Sequence, residues 1–270
     1  MNDLVYYDIY TLIQFAVPHK GEIWMRAWTA LFKKDFKLTR TAFLIGLVMN
    51  VLFVILTIYI GTFAGDTLYM FIPLAVAVVF HILYIPIIVF ISIKAEANQL
   101  HLWLHNPQPG STLLISKIVN GLLMMVISLL MLYAMTGLLI IPKFNLIEAY
   151  WTDTWIAGLL IFPHIIIVSV TAGVWVLFLW SLFQFLKFKI GRWSWIAVIG
   201  ALILPGWINV LFQSTKIYSF IAKWGEITYH FPTFSLDPIQ MFAGEYLYSL
   251  ILIVGVFILT AWIIDNKVEV

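Results

Sequence analysis

No cysteine occurs among the 270 residues. This excludes disulfides, thiol nucleophiles and thiolate metal centres, and thiols give no indication of redox compartment. Charge is scarce too, with Asp, Glu, Lys and Arg making up 10% of the chain. GxxxxGK[ST], HExxH, GxSxG and GxGxxG are all missing. The chain therefore has no recognisable means of hydrolysing ATP, holding a catalytic zinc, presenting a serine elbow or cradling a dinucleotide. No catalytic set and no metal set emerges. Glu226 and His230, four apart, would share one face of a helix, but two ligands without a third make a poor cation site. A formal net charge of +2 gives no reason to expect a nucleic-acid partner. Internal repeats and low-complexity tracts are absent, so the inverted-repeat architecture of many secondary transporters finds no support.

What is present is apolar surface. Hydrophobic residues make up 63% of the chain and the mean hydropathy is +1.01. One soluble core could not hide that much area, whereas a bilayer accepts it. Six apolar runs, 42–64, 68–93, 113–141, 155–186, 193–212 and 246–264, are each long enough to cross. The expected fold is thus an all-α integral membrane protein with a single transmembrane domain spanning 1–270. The fourth run would measure about 48 Å as one helix against about 30 Å of hydrocarbon, so it should tilt, break near Pro163 or protrude. The opening MNDLVYYDIYTLIQFAV lacks a basic start and carries Asp3, Asp8 and Gln14, so it reads as mature protein and not as a signal peptide.

The basic residues set the orientation. Lys20, Arg26, Lys33, Lys34, Lys37, Arg40, Lys94, Lys117, Lys187, Lys189, Arg192 and Lys267 fall on one side, against Lys143, Lys216 and Lys223 on the other. The positive-inside rule places both termini in the cytoplasm of a multi-pass cell-membrane protein. Within the N-terminal region 1–41, Trp24, Ala27, Trp28, Leu31, Phe32 and Phe36 recur at helical spacing, with Arg26, Lys33, Lys37 and Arg40 opposite. That pattern predicts an amphipathic helix lying on the inner leaflet among membrane lipids. The external connection 213–245 is aromatic-rich and thinly charged, which suits short helices dipping back toward the membrane.

All Asp and Glu residues fall outside the six runs or at their edges, Asp35 and Glu96 among them. With no carboxylate expected at membrane depth to hold a driving ion, transport would need energy from another subunit. Polar residues inside the runs, as pathway candidates, are Asn50, His81, Asn120, His164 and Asn209, with Tyr84 one turn after His81 and Gln184 a further polar position. The alternative for each is a hydrogen bond to a neighbouring helix.

The connection EANQLHLWLHNPQPGSTLLISK, 96–117, is built in two parts. Leu100, Trp103 and Leu104 lie at i, i+3, i+4, with His101 and His105 on another face. Pro107 disfavours helical geometry at Asn106 and ends the helix, and Gly110 supplies conformational freedom to the PQPG corner. Lys117 would mark the inner interface by snorkelling.

Glu96, Leu100, Leu102, Leu104, Pro107, Leu113, Leu114, Ser116 and Lys117 together resemble the permease subunits of ABC-2-type transporters. The resemblance extends to the layout, with a cytoplasmic amphipathic helix, six spans and a long external loop before the sixth. Asn98 and Gln99 stand where the family usually has Gly-Thr, and Pro109, Gly110 and Ser111 where basic residues are common. The resemblance implies that 94–112 is a cytoplasmic coupling segment docking on an ABC ATPase subunit through Glu96, Gln99, Leu100, His101, Trp103, Leu104 and Pro107. It also implies a second permease copy or a sister permease, with no cofactor in this chain and ATP and Mg on the partner. The permease would export a hydrophobic or amphipathic substrate such as a lipid, drug or antimicrobial peptide. The alternatives are a membrane sensor or assembly protein that transports nothing, and an intramembrane enzyme.

Overall fold

The structure, a computed structural model, describes residues 20–63, 69, 71–97, 108–141, 148, 151–232 and 238–267, with burial defined from residue 27 onward. The long helices are α1 (Lys20–Phe63), α2 (Ile72–Phe80), α3 (Tyr84–Ala97), α4 (Gly110–Ile140), α5 (Trp151–Ile190), α6 (Ser194–Gln213) and α8 (Ala243–Lys267). A short α7 (Lys216–Ala222) and two antiparallel strands, β1 (Glu226–Tyr229) and β2 (Ile239–Phe242), lie between α6 and α8. Among the described residues, five helical segments are long and apolar enough to cross a membrane: Ala27–Phe63, Ile72–Ala97, Gly110–Ile140, Trp151–Gln213 and Ala243–Lys267.

Where the chain bends, the cause is local. Pro86 lacks an N–H and its ring crowds the carbonyl of Ile82, and there the helix tightens into a 3-10 turn, His81–Leu83, between α2 and α3. The freed Ile85 amide donates to the Ser169 hydroxyl at 3.3 Å. A second 3-10 turn, Gly191–Trp193, separates α5 from α6, and Gly191 takes φ +54°, a conformation that favours glycine. The chain folds back there, because Phe183 and Trp195 rings lie 4.7 Å apart whereas twelve helical residues would separate them by about 18 Å.

Three sequence expectations need correction. The amphipathic segment is not a separate surface helix, since α1 continues without a break through 44 residues, about 66 Å. Its buried stripe is Leu31, Asp35, Thr39, Asn50, Val54 and Thr57, while Phe36 is exposed. A helix in lipid turns its polar residues toward the bundle, so the apolar face read from the sequence is not the packed one. Next, α5 is uninterrupted at Pro163 over 40 residues, about 60 Å; tilt or protrusion remains, and the break lies at Gly191. In the 213–245 connection, α7 exposes Ile217, Phe220 and Ile221, but Glu226 opens a strand and not a helix. His230 follows the end of that strand, about 13 Å along from Glu226, so the two do not meet as a pair.

The core lies around α4, which buries residues from Gly110 to Ile140 against α1, α3, α5 and α8. Side-chain pairs fix the directions. Asp35 meets Lys117 and, further along both helices, Asn50 meets Ser128, so α1 and α4 run parallel. His81 meets Ser128 while Ser92 meets Lys117, so the α2–α3 unit runs the other way. Tyr133 late in α4 reaches Gly158 early in α5, and Asp265 at the end of α8 reaches Gly110 at the start of α4. Both α5 and α8 therefore oppose α4. Ile85, fully buried, seats α3 against both neighbours: a Cβ on Gly121 would lie 3.3 Å from its Cγ2, and one on Gly173 only 2.6 Å.

Candidate functional site

The most polar buried region lies at the end of the bundle that carries Lys34, Lys94, Lys117 and Lys267. Three helices meet there. α1 brings Lys34, Asp35 and Thr39; α3 brings Ser92 and Glu96 from its last turns; α4 brings Ser116, Lys117 and Asn120 from its first. The Lys117 ammonium faces three oxygens, Asp35 Oδ1 at 2.9 Å, Ser92 Oγ at 2.8 Å and Glu96 Oε2 at 2.6 Å. Asp35 also accepts from Ser92 at 3.2 Å and, on its other oxygen, from Ser116 at 2.6 Å. Glu96 is held by ion pairs to Lys34 and Lys117 without well-aligned hydrogen bonds.

Lys117 and Asp35 are each about as buried as any residue here, at 2% and 1% exposure, and Glu96 keeps a 15% exposed side chain. The charges of Lys34, Asp35, Glu96 and Lys117 cancel, as burial demands. One turn inward, Asn120 donates to Thr39 at 2.8 Å, and Thr39 donates to the Asp35 carbonyl at 2.8 Å. Asn120 Oδ1 is buried with no hydrogen-bond partner among the described residues.

Two expectations fall at this point. Lys117 does not snorkel to water, because Asp35 and Glu96 offer it carboxylates inside the bundle. Asp35, placed by the sequence in the 1–41 region outside the apolar runs, is an internal charge, because α1 continues as one helix and turns it toward α4. The Asp35–Ser92–Ser116–Lys117 set was not legible as a site in the sequence. Ser116 and Lys117 stood out only as part of the 96–117 motif, and nothing linked them to Asp35 or Ser92.

Both stems of the 98–107 connection are fastened here. Glu96 stands at its entry. At its exit Pro109 precedes α4 in an extended conformation, and the Gly110 amide donates to Asp265 Oδ1 at 2.8 Å. Gly110 does not take a positive φ, contrary to the expectation. It is needed for close approach, since a Cβ would meet Asp265 Oδ1 at 2.6 Å. Asp265 thus caps α4 from another helix, and Asp265→Ala should cost about 0.5–2 kcal/mol, measured as unfolding free energy in bicelles. Gln99, Leu100, His101, Trp103, Leu104 and Pro107 lie outside the described residues.

Of the pathway candidates, three share one place. Asn50 donates to Ser128 Oγ at 2.9 Å and to its carbonyl at 3.0 Å. His81 Nδ1 lies 2.7 Å from the Ala77 carbonyl and Nε2 lies 3.1 Å from Ser128 Oγ. A carbonyl only accepts, so Nδ1 carries a proton, and when the ring is neutral Nε2 accepts from the Ser128 hydroxyl. The Tyr84 ring stacks on His81 at 5.7 Å and packs where Gly46 leaves no Cβ. Ser128, absent from the sequence-based candidates, is the hub. Ser128→Ala should cost about 0.6–1.7 kcal/mol, the range of interhelical polar contacts in bilayers, and Asn50→Ala should cost less in that background than alone.

Asn120 belongs to the charged cluster. His164 and Asn209 lie elsewhere: exposed His164 meets the edge of Tyr246 at 6.4 Å, and Asn209 accepts from Tyr248 at 2.8 Å. At that opposite end Tyr229 donates to Asp153 at 3.0 Å, and burial, then this bond, raise its phenol pKa.

Fold and burial pattern together define a multi-pass, all-α membrane protein. The protein YhcE of Bacillus subtilis (strain 168), described as uncharacterized, is 26% identical over 256 residues, covering 91% of this chain and 100% of its own. No protein-family model matches the chain and no solved structure does.

Proposed function

We propose that this chain is the transmembrane permease subunit of an ABC-2-type ATP-binding cassette transporter, exporting a hydrophobic or amphipathic substrate with energy from a separate ATPase chain. The observation that carries this reading is the fastening of both stems of the 98–107 connection, Glu96 by Lys34 and Lys117 and Gly110 by Asp265. Helix ends need such partners in any fold, and here the same contacts also hold both stems of the connection in place, as a segment that receives a force requires. The alternation of α1, α2–α3, α4, α5, α6 and α8 supports six crossings, and the turn at Gly191 divides the longest apolar segment into two of them. The end of α8 lies on the Lys/Arg-rich side with Lys34 of α1, and by the positive-inside rule we assign that side to the cytoplasm. The permease works as a dimer with itself or a sister chain, and ATP and Mg reside on the ATPase.

Coexpression with the neighbouring genes followed by copurification tests the reading. An ATPase is expected to come with the chain. Truncating a central anchor of an interface costs about 2 kcal/mol or more, so Trp103→Ala and Leu104→Asp should each weaken ATPase binding by about thirtyfold. Absence of any ATPase, or unchanged binding and ATP turnover in both variants, defeats the proposal.

A further inference from the structure

The charged cluster has a geometry that stability alone does not call for. One ammonium from α4 is shared between a carboxylate of α1 and a carboxylate of α3, and α1 reaches the same α3 carboxylate through Lys34. Buried ion pairs contribute little net stability compared with apolar packing, but they are sensitive to distance and direction. At 2.6 and 2.9 Å Lys117 cannot follow Glu96 without leaving Asp35. Asp35 in turn is held by Ser92 of α3 and Ser116 of α4, so it cannot re-pair by rotating alone. Glu96 and Lys117 lie at the two stems of one connection, while Asp35 lies in a helix that packs along α4 as far as Asn50 and Ser128.

We propose that Lys117 is a positioning residue through which displacement of the α3 and α4 stems is passed to α1, by way of its shared ion pairs with Asp35 and Glu96. The inference deepens the coupling reading and rests on it for the source of the displacement; the linkage of the three helices is independent of that source. Lys34 adds a second tie between α1 and α3, which makes the three helix ends move as one body.

The cysteine-free sequence allows a direct test. Spin labels at Lys37→Cys on α1 and Lys94→Cys on α3, both exposed positions, report the α1–α3 distance in lipid nanodiscs. The comparison variant is Asp35→Asn/Glu96→Gln/Lys117→Met, which removes the three buried charges while keeping shape and leaves unpaired only Lys34, whose side chain is 43% exposed, so the variant is expected to fold. Without nucleotide, the distance distribution of the triple variant should be at least about twice as wide as that of the original chain, since the ionic tie is gone. With the copurified ATPase and Mg-ATP, the original chain should shift its distance. The triple variant should keep ATPase binding and lose most of that shift. Equal widths overturn the linkage, and an undiminished ATP-driven shift overturns the positioning role. If no ATPase copurifies, the coupling reading fails by itself, and the nucleotide-free widths still decide whether the cluster ties α1 to α3. A cluster that served only to hold the fold would leave the ATP-driven shift intact once the triple variant folds.

Discussion

Lys117→Ala is expected to destabilise the bundle by about 3–5 kcal/mol, the cost of removing one partner from a buried charge pair. The loss comes less from the missing attraction than from what stays behind. Asp35, 1% exposed, keeps the hydroxyls of Ser92 and Ser116 but loses its counter-charge, and Glu96 keeps only Lys34, which is 43% exposed at its side chain. Asp35→Ala should cost less, because Lys117 would still face Glu96 and Ser92. The triple variant Asp35→Asn/Glu96→Gln/Lys117→Met should return to within about 1 kcal/mol of the original chain, as apolar or neutral replacements of buried pairs commonly do. Unfolding by SDS titration in bicelles measures all three. A loss for Lys117→Ala below about 1 kcal/mol, the range of exposed pairs, would mean that the lysine reaches water after all.

Ile85 and Gly173 give the second large effect, and its sign can be worked out from one contact. Ile85→Ala should cost about 2 kcal/mol, the low end for a buried isoleucine, because in a bilayer only lost packing counts and transfer from water plays no part. Gly173→Ala should cost about 1–3 kcal/mol by overpacking, since the new Cβ would lie 2.6 Å from Ile85 Cγ2. The double variant removes the very atom that the new methyl strikes. Its cost should therefore fall below the sum of the singles by about 0.5–3 kcal/mol. Gly255→Ala is the control, because nothing lies within 4 Å of its Cβ position; it should be neutral or stabilising by up to about 1 kcal/mol. Additive costs at 85 and 173 would contradict the close approach of α3 and α5.

Much of the architecture could be read from composition and periodicity. The apolar runs gave the class of protein, because a stretch that must satisfy its backbone inside lipid has few options other than a helix. The basic residues gave a common end, and the structure gathers Lys34, Lys94, Lys117 and Lys267 there. Helix breaks were harder. Pro86 and Pro163 look alike in sequence, yet a 3-10 turn stands before the first and α5 runs through the second, since a proline inside a membrane helix need not break it. Gly191 was easier, because it lies in the short gap with Lys187, Lys189 and Arg192 between the fourth and fifth apolar runs, where the chain does turn.

The sequence by itself determined that this chain lives in a membrane, that its helices are long and apolar, and that its positive charge gathers on one side. Those properties are sums over residues, and a bilayer responds to sums. The tertiary structure alone decided that Asp35, Glu96 and Lys117 form one buried cluster, and that Ser128 joins Asn50 to His81. Each of these contacts depends on which face a helix turns inward and how far it slides along its neighbour. In lipid, apolar residues are content on either side, so hydropathy does not choose the face. The choice falls to the few polar side chains that must find one another, and their partners lie far along the chain, with Lys117 82 residues from Asp35.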